Sequence, residues 1–306
     1  MQRFNFPNNL MMAFNEAVLL YEKDANVFAI DIGFRYDGAQ RLDEQCVRVH
    51  LNFNSGYSSV NDLIYFFDYT NHSNHWRRKV IPLNSERRQK RATLQPGISI
   101  GTFTSGTLGL ICYDRLGNNR PCLLTAEHVV EGNIGAIVSQ PGAGLDRGRF
   151  FVDGIGKKLR SDPNGDAAIA VLRGNRPFIH TQFETDKAIV GVREVSLGDI
   201  LIKSGRTTGL TEAMVDGIGV YYKKMKFSRR AIKGFRLVPV DDLNTNDIQI
   251  SDNGDSGSIW FDPSTNEGLG LLFSGEGSRA QPHHEFSVAQ HLSDILVNLH
   301  ITLTKN

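Results

Sequence analysis

The sequence predicts a mainly β protein: an all-β region of sandwich or barrel type, preceded by a small α/β unit and closed by a helix. Three observations carry this expectation. From Ile98 to about residue 285, short apolar runs are punctuated by glycine, proline and asparagine, the texture of short strands joined by tight turns. The 30 glycines, with 40% hydrophobic and 22% charged residues, suit a turn-rich globular chain with a sizeable core. The opening third instead mixes helical and strand periodicities.

Taken in order, Asn8 and Asn9 can cap a helix whose Leu10, Phe14, Val18 and Tyr21 fall on one face. Residues 26–33 and 46–53 read as strands. In the second, Val47, Val49, Leu51 and Phe53 alternate with Arg48, His50 and Asn52, which predicts one buried and one solvated face. Val60, Leu63, Ile64 and Phe67 suggest a second helix. A basic run at 86–91 (ERRQKR), followed by the turn formers Gln95, Pro96 and Gly97, reads as an exposed linker open to proteolysis near Arg91. It divides the chain into a small α/β domain, residues 1–92, expected to regulate or recruit, and a second domain, residues 93–306. Residues 287–300 close the chain with Val288, Leu292, Ile295, Leu296 and Leu299 on a helical face.

A net charge of +1 gives no global attraction to polyanions. Basic residues cluster locally at Arg77, Arg78, Lys79, Arg87, Arg88, Lys90 and Arg91, and again at Lys223, Lys224, Lys226, Arg229, Arg230 and Lys233. No aromatic platform or finger spacing accompanies them, so nucleic acid is not the expected partner. His72 with His75, and His283 with His284, lack a second ligand pair at zinc spacing, so neither metal nor cofactor is expected. Three cysteines, Cys46, Cys112 and Cys122, are few and odd in number, which points to a reducing, cytoplasmic setting. No stretch reaches the roughly 18 apolar residues of a membrane span, and the first residues do not read as a secretion signal.

The chemistry is concentrated in three segments. Gly254-Asp255-Ser256-Gly257-Ser258 places a hydroxyl between glycines, which let the backbone turn so that the N–H groups of Gly254 and Ser256 can converge on one oxygen. A histidine, His128, follows the apolar run 123–126, and Asp166 opens the apolar run 167–172. A serine needs a base, and an imidazole base needs a carboxylate to fix its tautomer.

These segments resemble the trypsin-like serine peptidase family, in the chain order His, Asp, Ser. LLTAEHVV resembles its histidine box, GDSGS its serine box, and residues 203–211 (KSGRTTGLT) a strand and turn of its bacterial, intracellular members. The resemblance covers Ile98 to about the C-terminus. It implies two antiparallel β-barrels with the site between them, His128, Asp166 and Ser256 as catalytic triad, and an oxyanion hole from Gly254 and Ser256. It further implies an activation pair of Asp255 with Lys203, Arg206 being the substitute, and a substrate site of Ile250, Ser274 and Gly275. An apolar Ile250 favours small or apolar side chains before the cleaved bond. Departures are Glu127 before the histidine, Val129 after it, and Ser258 where a second glycine is usual. The expected partner is a protein or peptide substrate, with a regulatory protein besides. A catalytically silent scaffold and a nucleic-acid-responsive module stay open as alternatives.

Overall fold

A computed structural model describes residues 4–37, 40–52, 62–68, 85–224, 229–240, 249–275 and 285–305. Helix α1 (Asn8–Tyr21) buries Leu10, Ala13, Phe14 and Ala17 along one side. Pro7 takes its N-cap position and no side chain caps it, so the expected asparagine cap is replaced by a residue whose φ, −54°, is already helical. Strands β1 (Val27–Asp37) and β2 (Gln40–Leu51) pair antiparallel, and β3 (Ile64–Asp68) runs parallel to β2. The helix expected around Leu63 and Ile64 is therefore corrected, because branched and aromatic residues paired to Val47–Leu51 settle as a strand. Val60 lies outside the described residues. Ile30, Ile32, Val47, Val49, Leu51 and Ile64 pack against the buried side of α1.

The next strands are β4 (Ser99–Ile100), β5 (Gly106–Thr107), β6 (Leu110–Asp114), β7 (Arg120–Ala126), β8 (Ile137–Ser139), β9 (Gly154–Ser161) and β10 (Ala167–Leu172). They are followed by β11 (Gly191–Val192), β12 (Ile200–Gly205), β13 (Gly209–Lys224), β14 (Arg229–Val238), β15 (Ile259–Phe261), β16 (Glu267–Gly275), β17 (Ser287–His291), helix α2 (Leu292–Asn298) and β18 (Ile301–Thr302). One sheet has the order β18-β6-β7-β10-β9-β8, and a second runs β12-β15-β16-β17-β14-β13-β1-β2-β3, closed on itself by β12 pairing β13. The mainly β class with a closing helix stands, and the helix is shorter than expected: Ser287–His291 is a strand because it fills the gap between β14 and β16.

Each sheet has its own core. Leu123, Leu124, Ile169 and Ile111 anchor the first, while Trp260, Leu201, Phe235 and Ile250 anchor the second. Through β1 the N-terminal strands continue the second sheet, with Ala29 opposite Tyr221 and Gly33 opposite Gly217. That continuation buries two of the three residues expected to be solvated, while Asn52 is exposed as expected. Arg48 and His50 are both 0% exposed. Arg48 clamps Asp31 with two bonds of 2.7 and 2.9 Å and Asp216 of β13 with one of 2.8 Å. Burial pushes the His50 imidazole down, and the paired guanidinium holds Asp216 below the usual carboxylate range against its own burial.

Within the basic run at 86–91, Arg87 and Arg88 are buried, while Glu86, Gln89 and Lys90 are exposed as expected of a linker. Arg87 is 1% exposed and donates to Ser204 Oγ at 2.8 Å and to the carbonyls of Gly97, Gly205 and Phe183. A guanidinium with that many acceptors in reach is held more firmly than one in water. His72, His75, His283, His284, Arg77, Arg78, Lys79 and Lys226 lie outside the described residues.

Candidate active site

His128 is positioned by β7. Residues 122–126 of that strand are fully buried, apart from Thr125 all apolar, and each wholly buried leucine contributes about 1.5–3 kcal/mol. The strand ends in a 3-10 turn, Glu127–Val130, plugged by buried Val129 and Val130. Strand β10 pairs antiparallel with β7 in the register Ala167 to Ala126. Asp166, one residue before Ala167, must then lie beside Glu127 and His128. Its carbonyl accepts the Glu127 N–H at 3.0 Å, its Oδ1 the His128 N–H at 3.2 Å, and its Oδ2 stands 2.7 Å from His128 Nδ1. Asp166 is buried, which pushes its carboxyl up, but the bonds and charge of His128 and the cation of Lys223 outweigh this and hold it below the usual range.

Ser256 sits on the turn before β15. Asp255 N–H bonds the Asp252 carbonyl at 2.9 Å, and Ser258 returns both its N–H and its hydroxyl to the Asp255 carbonyl. Ser258 therefore closes the turn where a glycine was expected. Gly254 and Gly257 have φ of +102° and +96°, the left-handed region. A Cβ on Gly257 would lie 2.2 Å from Thr125 Oγ1 and 2.4 Å from the Thr107 carbonyl. The serine turn is thus pressed against the end of the strand that carries His128. Thr107 N–H holds the Ser256 carbonyl at 2.9 Å, and Gly257 N–H reaches Leu272 of the second sheet. Among the described residues, Ser256 Oγ and the N–H groups of Gly254 and Ser256 make no hydrogen bond.

Asp255 is fully buried and points away from the turn's surface. It accepts Thr207 N–H at 2.7 Å, Thr208 N–H at 3.1 Å, Thr208 Oγ1 at 2.6 Å and Asp252 N–H at 3.0 Å, and lies 3.5 Å from Lys203 Nζ. Burial raises its carboxyl, but Lys203 and these donors outweigh it and keep the group well on the ionised side. The substitute cation Arg206 is committed elsewhere, to both oxygens of Asp146 at 2.6 Å. Ile250 packs in the second core, and its N–H, like that of Ser251, donates to Glu285 Oε1 at 3.0 Å. Ser274 is exposed, paired to Val288, and Gly275 is paired to Ser287. A Cβ on Gly275 would lie 3.0 Å from Ser251 Oγ, so these segments adjoin.

Three participants were missed from sequence. Gln290 of β17 accepts the Asp166 N–H at 2.9 Å, tying the aspartate to the second sheet. Lys223 contacts Asp166 Oδ2 and stands 3.0 Å from His128 Nδ1. Arg230, opposite Lys223 in the β13–β14 register, donates to Glu127 Oε2 at 2.9 Å and to the Gly165 carbonyl. The second basic cluster was the signal for Lys223 and Arg230, visible in sequence without its target. Among the described residues, no group of histidine, cysteine and carboxylate side chains is arranged to hold a metal ion.

No protein-family model matches the chain, and no curated protein matches it. Solved structures do. A protease of Nocardiopsis is 16% identical with a TM-score of 0.50, over 68% of this chain and 98% of its own. Protease A of Thermobifida fusca is 14% identical with a TM-score of 0.52, over 70% and 100%. A glutamic acid specific serine protease is 17% identical with a TM-score of 0.51, over 69% and 100%. The fold is therefore the chymotrypsin-like one of bacterial serine proteases.

Proposed function

We propose that this chain is a serine endopeptidase acting through an acyl-enzyme, with His128, Asp166 and Ser256 as its triad. The observation that carries the reading is the 2.7 Å bond between His128 Nδ1 and buried Asp166, next to a serine turn locked by two left-handed glycines. Ser256 Oγ attacks the peptide carbonyl carbon while His128 Nε2 takes its proton. The carbonyl oxygen becomes an oxyanion and is held by the N–H groups of Gly254 and Ser256, which have no other partner among the described residues. His128 then gives the proton to the leaving amine, and water releases the acyl group by the same steps. Asp166 stays ionised throughout and keeps the ring proton on Nδ1.

The Lys203–Asp255 pair supports an oxyanion turn that forms without a freshly cut N-terminus, because an internal cation already meets the carboxylate. Beyond Leu272, the edge of β16 opposite β17 has no partner among the described residues, so a substrate strand can add along Phe273 to Gly275. Ile250 favours small or apolar residues before the cleaved bond. Three free, buried cysteines support a cytoplasmic site of action, and residues 1–92 are assigned a regulatory role. The test is incubation of wild type and His128→Ala with a denatured protein mixture, reading new N-termini by mass spectrometry. Cleavage by the wild type alone is expected; identical peptide patterns would reject the reading.

A further inference from the structure

Lys223 stands near the end of β13, one residue before the strand stops. Its ammonium shares Asp166 Oδ2 with the imidazole, and Lys223 Nζ and His128 Nδ1 are 3.0 Å apart. Nδ1 carries at most one proton in the neutral ring, so only two arrangements exist. If Nδ1 donates to Asp166, a cation faces that N–H with no lone pair to accept it, and it opposes the positive charge the ring must gain when it takes the serine proton. If instead Lys223 donates to Nδ1, the ring proton sits on Nε2, the atom that must be empty to act as base. Both arrangements hinder the same step.

Lys223 is held there by an arm, β13 paired to β14, gripped on both flanks. Arg230 across from it donates to Glu127 Oε2 and the Gly165 carbonyl, one residue before His128 and one before Asp166. Arg229 donates to the carbonyls of Glu22 at 3.0 Å and Asp24 at 2.7 Å, just past α1, and its guanidinium lies 4.1 Å over the Tyr222 ring. A cation beside the carbonyls at a helix C-terminus is favourably placed. Strand β1 runs along the arm as far as Ala29 opposite Tyr221, two residues from Lys223. N-terminal segment, arm and catalytic pair are thus mechanically one chain of contacts.

We propose that Lys223 is a positioning residue that restrains the His128–Asp166 pair, and that the N-terminal segment sets this restraint by holding the β13–β14 arm. The inference rests on the peptidase reading above. Lifting the arm leaves Asp166 to His128 alone and frees the imidazole to act as base. A partner or substrate that displaces the arm would therefore switch the enzyme on.

The test uses Lys223→Met and Arg229→Ala in the full chain. Lys223→Met is expected to raise kcat and the rate of fluorophosphonate labelling at Ser256 by about tenfold or more, a discounted share of a direct charge interaction because both groups are partly exposed. KM should stay within about twofold, since Lys223 acts on the catalytic pair and not on bound substrate. Arg229→Ala, outside the site, should give a smaller rise in the same direction, and it keeps the idea testable where Lys223→Met does not fold. Unchanged or lower kcat in the folded variants would overturn the restraint. A third readout is independent of activity: in a Ser256→Ala background, the ring ¹⁵N signals of His128 should move on Lys223→Met. If they stay in place the contact is absent and the inference falls, whatever labelling says about the peptidase.

Discussion

Replacing Lys203 by methionine removes the cation that faces Asp255 and nearly preserves volume. At 3.5 Å, with both side chains 0% exposed, two unit charges attract by ~5 kcal/mol at an effective dielectric of ~20. That figure is not the net loss, because Lys203 also escapes its own desolvation. Removing one partner of a buried pair typically costs ~3–5 kcal/mol. Four other donors stay on Asp255, and they place this case at the lower end, about 3 kcal/mol. The 5.7 Å contact of Lys203 Nζ with the Trp260 ring is lost as well. Urea unfolding followed by tryptophan fluorescence measures the change, and Lys203→Met combined with Asp255→Asn should recover about 1–3 kcal/mol as coupling between neighbours. A single variant within about 0.5 kcal/mol of wild type would refute the claim that this pair holds the serine turn.

Gly257→Ala places a Cβ 2.2 Å from Thr125 Oγ1 at a φ of +96°, so labelling of Ser256 should fall at least about a hundredfold, with stability lower by ~2–3 kcal/mol; a Gly257→Ala variant that is both labelled and stable would contradict the packing. Acid stability should fall in two stages. The folded His50 lies below its unfolded value of about 6.5, so below that pH the unfolded chain takes up a proton the fold refuses, at about 1.4 kcal/mol per pH unit. Asp166, Asp216 and Asp255 are held below the usual carboxylate range, so their contribution is present above about pH 4 and lost as pH falls through their folded values. Melting temperature against pH should lose the upper stage in His50→Gln and keep the lower one.

Two of the proposed triad residues, His128 and Asp166, stood out because each lies beside a strand end and strand ends show in an apolar pattern, whereas Ser256 stood out by the glycines that flank it. Ala126 to His128 and Asp166 to Ala167 are points where a buried run stops, and the β7–β10 register does the rest. Lys203 and Asp255 were legible only through their resemblance to a known motif. What stayed hidden depended on partners far away in the chain. Arg48 and His50 alternate with apolar neighbours as solvated residues do, and only the pairing of β1 with β13, about 190 residues later, buries them. Arg87 reads as a linker charge until Ser204 and the carbonyls of Gly97 and Gly205 converge on it. The spacing of Leu63 and Ile64 fits helix or strand alike over so short a run, and pairing to β2 decides. Lys223 and Arg230 were visible as charge, but a charge cluster does not state which carboxylates it meets.

The central claim is that Ser256 is an activated nucleophile, and covalent capture by a fluorophosphonate tests it most directly. Purified wild type, Ser256→Ala and His128→Ala are incubated with the probe and the labelled peptide is mapped by mass spectrometry. The account expects one adduct, on Ser256, in the wild type, none in Ser256→Ala, and strongly slowed labelling in His128→Ala. Equal labelling in wild type and Ser256→Ala, or none in wild type and in Lys223→Met alike, would contradict it.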